Sequence, residues 1–428
     1  MIRFQRRVFF ATLLLLFLYS SLGEDDSERS LSNTNRSPPP LVFGILSQPF
    51  YEDDEDGEND PDDDNFNHTY ISASYVKWLE DGGARSIPIP YDASPSLVED
   101  ILSQVDGILF PGGGSSLPSA AITIWEKLHS EAYYFPEKES ERPSDMIPLW
   151  GTCLGMEFIV QLAADANETY CGYRCNQDIL EKGFDSNNIS LPLLDVYRRG
   201  LYKPGNVYDI VTKYNVTMNN HHLGISPERF RNNSGLSRRF DITSINYDRN
   251  GRAFVSTIEP LKAYTRGASS SEVVPPIYGV QYHPEKNTHE YGFYPHTSIP
   301  YEAIDHSPEG IDFSLYEARF LVNLARENVQ NRMQSSPSGG KYNKPDVYPM
   351  IYTYPRRVGH KFEEKYIIPL ASHWEPKERE KDNDGIKHIS VNRGEEDLST
   401  EQQTTKSMLR RKSVDLRKQV EELPALRK

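Results

Sequence analysis

A single thiol sits between small residues in Trp150-Gly151-Thr152-Cys153-Leu154-Gly155, where a short apolar run turns into a segment of helical periodicity. The feeding run is Ile147-Pro148-Leu149-Trp150, and Met156 to Ala163 places Phe158, Ile159, Leu162 and Ala163 on one helical face. A strand that turns this sharply into a helix brings backbone close to backbone, which Gly151 and Gly155 permit, as in the related serine elbow G-x-S-x-G. The turn therefore commits the chain to a strand-to-helix unit that displays Cys153. At the helix start the thiol feels the positive end of the helix dipole, which favours its thiolate. Its other reading is a buried, inert cysteine.

The same alternation recurs along the chain. Leu41-Val42-Phe43-Gly44-Ile45-Leu46 reads as a strand, Tyr70 to Leu79 has helical spacing, and Gly82-Gly83 stops that helix. Ser86 to Ile89 reads as an edge strand because Pro88 cannot donate to a ladder, Leu97 to Val105 as helix, and Gly107 to Phe110 as strand. Farther on, Ile277 to Tyr282 is strand-like and Ser314 to Arg326 is an amphipathic helix. Between them, Val207 to Val211 and Ala253 to Ile258 read as strands of unassigned order. This pattern predicts an α/β fold: a doubly wound, mostly parallel sheet flanked by helices in three layers, with chemistry beyond the carboxyl ends of the strands.

Outside this pattern, Met1 to Gly23 reads as a secretory signal: Arg3, Arg6 and Arg7 precede an apolar stretch from Val8 to Leu18 that is too short to span a bilayer, and no second run near that length follows. That predicts a chain in a lumen (lysosome or vacuole) or outside the cell. Sequons at Asn35, Asn67, Asn167, Asn188, Asn215 and Asn232 agree, with Asn35 the poorest because Pro38 follows it. The cysteines are Cys153, Cys171 and Cys175, and the last two read either as a local pair or as a zinc half-site. A net charge of -15 argues against a nucleic-acid partner. Much of that charge lies in the run 52–64, read as a solvated loop insertion; its match to a calcium loop is poor, since Pro61 interrupts it. Residues 24–38 read as a disordered leader and 370–428 as a charged, disordered tail. His283, His289, His296 and His306 do not have the spacing of a compact metal-ligand set, and no metal or organic cofactor is expected.

A cysteine hydrolase needs a base for the thiol, a group that orients the base, and amide donors for the oxyanion. His283 follows a predicted strand, and Glu285 is held two residues on by Pro284, so that its carboxylate can fix the imidazole tautomer. The backbone N-H of Leu154 should face the space before the sulfur, and Gly113, in Pro111-Gly112-Gly113-Gly114, can present a second N-H with nothing beyond Cα in the way. Each part also has a plainer reading, as a structural histidine or a simple turn.

Together FPGGG, WGTCLGME and YGVQYHPEK resemble the class I glutamine amidotransferase superfamily and, within it, the gamma-glutamyl hydrolases. YISASYVKWLEDGGAR, MNNHHLGIS, IYTYP and KYII extend the likeness from Pro39 to Ile368, hence one domain over 39–369. The resemblance implies that Cys153 is the nucleophile, His283 the general acid/base, Glu285 its partner and His221 an additional active-site histidine; His222 beside it leaves the register open. Glu157 is a candidate contact for a substrate amine. It implies hydrolysis of gamma-glutamyl bonds in folylpoly-gamma-glutamates through a thioester, with a polyanionic small-molecule substrate and a possible homodimer. The alternatives are a glutaminase of the same superfamily and a catalytically inactive binding protein.

Overall fold

The computed structural model describes residues 41–50, 67–129, 147–164, 175–261, 276–335, 348–358, 364–374, 380–381 and 387–388. The signal, the leader, the acidic run 52–64, Asn35, Asn167, Cys171 and most of the tail lie outside the described residues.

In chain order the main elements are β1 (Leu41–Leu46), β2 (Gln48–Phe50), β3 (His68–Ser72), α1 (Ala73–Asp81), β4 (Ala84–Ile89), α2 (Pro95–Leu102), β5 (Gly107–Phe110), α3 (Ser119–His129), β6 (Leu149–Thr152) and α4 (Leu154–Ala163). They continue with β7 (Glu181–Leu191), α5 (Gly205–Lys213), β8 (Thr217–Gly224), β9 (Phe240–Tyr247), β10 (Ala253–Pro260), β11 (Ile277–Val280), α6 (Pro308–Ser335), β12 (Arg356–Arg357) and β13 (Lys365–Pro369). The central sheet has seven strands in the order β4-β1-β5-β6-β11-β10-β9. Its first five strands are parallel, and β10 and β9 close the far edge antiparallel. The predicted mostly parallel α/β sheet is therefore present, with Pro88 on edge strand β4 as its missing N-H requires.

Strand alternation sets the layers. On one face of the sheet Trp150 packs against Trp78 of α1, with ring centres 5.5 Å apart, and Tyr278 against Phe320 of α6 at 5.1 Å. On the other, Phe110 meets Phe158 of α4 at 6.4 Å, and methyl groups at Gly151 and Gly279 would strike Ile159 and Met156 of the same helix. Helices thus cover both faces of the sheet. Gly82 does more than stop α1: a methyl group there would lie 2.6 Å from the Ala318 carbonyl oxygen of α6, so its bareness lets the two helices approach.

Two expectations need correction. The helical spacing read from Tyr70 covers two elements: Tyr70 and Ile71 belong to β3, and the helix begins at Ala73. The deciding partner is β13, which pairs with β3 from some three hundred residues away and cannot be read locally. Val207 to Val211 is helical, within α5; Val207 and Val211 are four apart and both buried, which fits a helix stripe better than a strand. A second, four-stranded antiparallel sheet runs β12-β13-β3-β2, and β7 pairs with β8 in a hairpin. The sequon residues Asn67, Asn188, Asn215 and Asn232 are exposed. Cys175 is disulfide-bonded, which removes the zinc half-site reading, and Cys153 is a free thiol.

Candidate active site

Three neighbouring strands, β5, β6 and β11, deliver their carboxyl ends to one place. Phe110 pairs with Gly151 and Thr152 with Val280, so the residues that follow each strand emerge side by side: Gly112, Cys153 and His283. The Cys153 N-H extends the ladder by one more bond, donating to the Val280 carbonyl at 2.7 Å. Cys153 has φ 50° and ψ -109°, a conformation rare for a residue with a side chain, and it precedes α4 without capping it. The turn is as tight as the sequence implied: a methyl group at Gly151 would sit 2.5 Å from the Gly155 carbonyl oxygen, and one at Gly155 only 2.0 Å from that of Phe110.

The thiol is not displayed at the surface. Cys153 is 4% exposed, enclosed by groups from other elements. A methyl group at Gly112 would fall 2.6 Å from His283 Cε1, 2.8 Å from the Tyr75 hydroxyl and 3.4 Å from Cys153 Cβ, so imidazole, phenol and thiol line one small space. His283 Nδ1 lies 2.8 Å from Glu285 Oε1. A carboxylate can only accept, so Nδ1 carries the proton and Nε2 is left for the thiol side. Burial alone would pull the His283 imidazolium down. The Glu285 carboxylate and the Cys153 sulfur outweigh it, raising the histidine to about 10. The His283 N-H is anchored to the Met218 carbonyl at 2.8 Å, which binds strand β8 to the site.

Strand β8 then resolves the histidine pair. His221 is 5% exposed, donates Nδ1-H to the Leu223 carbonyl at 2.7 Å, and packs edge-on against Phe254 with 4.8 Å between ring centres. Its Nε2 is buried without a hydrogen-bond partner, and desolvation, with the positive His283 nearby, pushes it down to about 4. His222 points the other way, toward Asn187 and the Phe184 carbonyl. Glu157, on the first turn of α4, is buried as well and is pushed up to about 7 by desolvation, with the Gln281 amide and His283 opposing.

Three residues escaped the sequence reading. Gln281 donates Nε2-H to Glu157 Oε1 at 3.0 Å, and the same nitrogen lies 3.8 Å from Cys153 Sγ. Tyr75 of α1 accepts the Gly112 N-H at 2.8 Å and stands 3.4 Å from His283 Nδ1. Gln48 accepts from the Ser115 hydroxyl at 2.7 Å, while its own Nε2 is buried and unpartnered. A signal existed only for Gln281, which lies two residues before His283 at a strand end. Tyr75 reads as one more core aromatic of an amphipathic helix. Gly113 is flanked by Gln48, whose Oε1 a methyl group there would approach to 2.5 Å, while Leu154 holds the first helical position, whose N-H has no intrahelical acceptor. The remaining histidines do not converge: His289 pairs with Asp81 at 2.8 Å, His306 stacks on Tyr291, and His296 lies in the turn of a small hairpin between Phe293 and Pro300. Among the described residues no group of three or more His, Cys, Asp and Glu side chains could hold a metal ion.

A profile of the Peptidase C26 family matches residues 52–168. Gamma-glutamyl hydrolase B of Dictyostelium discoideum is 31% identical over 355 residues, 81% of this chain and 84% of its own. Gamma-glutamyl hydrolase 1 of Arabidopsis thaliana is 31% identical across 78% of this chain and 84% of its own, and gamma-glutamyl hydrolase of Homo sapiens is 30% identical across 62% and 73%. Among solved structures, a glutamine amidotransferase from Thermotoga maritima aligns over 70% of this chain at 11% identity with a TM-score of 0.28, too loose a superposition to carry weight.

Proposed function

The chain belongs to the gamma-glutamyl hydrolase family, and we infer that it hydrolyses gamma-glutamyl amide bonds through a thioester on Cys153, with folylpoly-gamma-glutamates as its substrates. The observation that carries this reading is the arrangement around Gly112: a free thiol at a helix start, facing an imidazole whose far nitrogen is bound to Glu285.

The chemistry follows from these groups. The Cys153 thiolate adds to the amide carbonyl carbon, and the negative charge moves to the carbonyl oxygen, which the N-H groups of Leu154 and Gly113 receive. Collapse of that intermediate breaks the C-N bond as protonated His283 gives its proton to the departing amine. Water then attacks the thioester with His283 taking its proton, the C-S bond breaks, and the thiolate–imidazolium pair returns. Glu285 keeps the imidazole oriented throughout, and Tyr75 props the same ring while holding the Gly112 loop in place. His221, neutral near physiological pH, leaves its buried Nε2 as an acceptor for a substrate N-H, and Glu157 is a contact for the substrate amine.

Residues 1–23 read as a secretory signal, and no helix among the described residues is long and apolar enough to cross a membrane. Both agree with a place in the secretory pathway, outside the cell or in a lysosome or vacuole. The test is chromatographic: the purified chain shortens pteroylpolyglutamate, and Cys153→Ala abolishes the activity while its circular dichroism and melting stay those of the parent. Hydrolysis retained in that variant would remove Cys153 from the chemistry. Ammonia released from free glutamine, with gamma-linked chains untouched, would favour a glutaminase instead.

A further inference from the structure

The helix that carries Tyr75 takes its N-terminal anion from a distant part of the chain. Ser72 stands at the N-cap of α1, yet its hydroxyl makes no capping bond, and the first turn holds no acidic residue. The carboxylate at this helix start is that of Glu290, 216 positions on from Ser74, which accepts the Ser74 hydroxyl at 2.6 Å. The Ser72 hydroxyl lies 3.4 Å from the same carboxylate oxygen and 2.7 Å from the Ser74 hydroxyl. All three side chains are buried.

Glu290 is in turn held by Lys286. The short helical turn Lys286–His289 follows Glu285 directly, and the buried Lys286 ammonium lies 3.7 Å from Glu290 Oε2 and pairs more closely with Glu302. Glu302 also accepts the Asn220 side-chain amide at 3.3 Å. Burial drives the Glu290 carboxyl up, with Glu302 and Glu285 adding to it, while the Lys286 ammonium and the Ser74 hydroxyl oppose the rise. Both ends of this network return to the site. Tyr75 is the residue after Ser74, and its hydroxyl accepts the Gly112 N-H at 2.8 Å and stands 3.4 Å from His283 Nδ1. Lys286 is the residue after Glu285, whose Oε1 lies 2.8 Å from the same imidazole nitrogen.

We propose that Ser74, Glu290 and Lys286 are positioning residues, which lock the start of α1 to the turn after His283 and thereby fix the Tyr75 hydroxyl against Gly112 and the imidazole. The role serves the hydrolysis inferred above and rests on that reading. The two groups that stand at His283 Nδ1, Tyr75 and Glu285, come from elements far apart in the chain, and the network joins the residue beside one to the residue beside the other. Apolar side chains of the same volume would stabilise the fold at least as well as two carboxylates and an ammonium stripped of water, so what the charges add is a fixed geometry.

The experiment is a double-mutant cycle. Hydrolysis of pteroylpolyglutamate, and alkylation of Cys153 by iodoacetamide, which needs no substrate, are measured for the parent, Ser74→Ala, Tyr75→Phe and the double variant, with Glu290→Gln, Lys286→Met and Lys286→Arg beside them. Ser74→Ala lowers kcat by about tenfold, the worth of one hydrogen bond to a charged group, with KM within about twofold of the parent's. The double variant falls no further than Tyr75→Phe, because the serine acts through the tyrosine, and the alkylation rates show the same non-additivity. Glu290→Gln and Lys286→Met lower kcat in the same way, whereas Lys286→Arg keeps it near the parent's. Melting curves establish that each variant is folded. Losses that add in the double variant, or an unchanged kcat in folded Ser74→Ala and Glu290→Gln, overturn the positioning role and leave the hydrolase reading intact. Loss of the fold in both of those variants overturns it too, since the network would then hold the core and not the site. A parent that is alkylated at Cys153 but cleaves no gamma-glutamyl chain overturns the hydrolase reading, and the alkylation cycle still decides the network.

Discussion

At the scale of single residues, the site depends on one side chain whose part the motif does not announce. The Gln281 amide stands between the sulfur of Cys153 and the carboxylate of Glu157, within hydrogen-bond reach of both. Its two protons can serve acceptors on either side, so Gln281 is a positioning residue that bridges the Cys153 sulfur and Glu157 and opposes the rise that burial imposes on Glu157. Gln281→Leu should lower kcat by about tenfold to a hundredfold, the worth of one hydrogen bond to a charged group. It should also slow alkylation of Cys153 by iodoacetamide at neutral pH. Because the amide opposes the upward shift of Glu157, its loss moves the Glu157 limb of the pH–rate profile above 7. A folded Gln281→Leu with parental alkylation and an unmoved limb would leave Gln281 a purely structural role. His283, Glu285 and Cys153 were legible because their spacing and neighbours are local; Gln281 becomes meaningful only when β11 lies next to β6.

At the scale of elements, two glycines near the thiol are required for different reasons. At Gly155 a methyl group would meet the backbone of Phe110, which cannot move without separating α4 from β5. Gly155→Ala should therefore destabilise the fold by about 3 kcal/mol, the upper part of the range for overpacking, read as a drop in denaturant midpoint. At Gly112 the methyl group would enter the space between His283 and Cys153 instead. Gly112→Ala should leave the midpoint near the parent's and abolish hydrolysis. Equal effects of the two substitutions on stability would contradict this division. The strands Leu41–Leu46 and Gly107–Phe110 were legible to the residue because short apolar runs ended by turn residues have few other solutions. Strand β3 was not, since its β-structure depends on β13, and α5 was misread because a short apolar run does not reveal its period.

At the scale of the whole molecule, the buried ionisable groups tie stability to pH from both sides. His221 is held neutral, down at about 4 against an ordinary 6.5, so its contribution is intact above 6.5 and is lost as the pH falls through 4. Glu157 is the reverse: raised to about 7, its contribution is intact below 4.5 and is lost as the pH rises through 7. Each shift corresponds to about 3 kcal/mol across its window. Melting temperature against pH should thus show a shallower acid limb in His221→Phe and a shallower limb between pH 4.5 and 7 in Glu157→Gln; limbs unchanged in both variants would contradict these couplings. The sequence alone determined the class of sheet, the thiol turn, the His-Pro-Glu strand end and the family, because each is written in contiguous residues whose periodicity or spacing has a local cause. Only the tertiary structure decided that Cys153 is enclosed, that His221 and not His222 faces inward, and that Gln281, Tyr75 and Gln48 join the site. Those relations join residues from 37 to 208 positions apart, and they exist only once strand pairing has set the register.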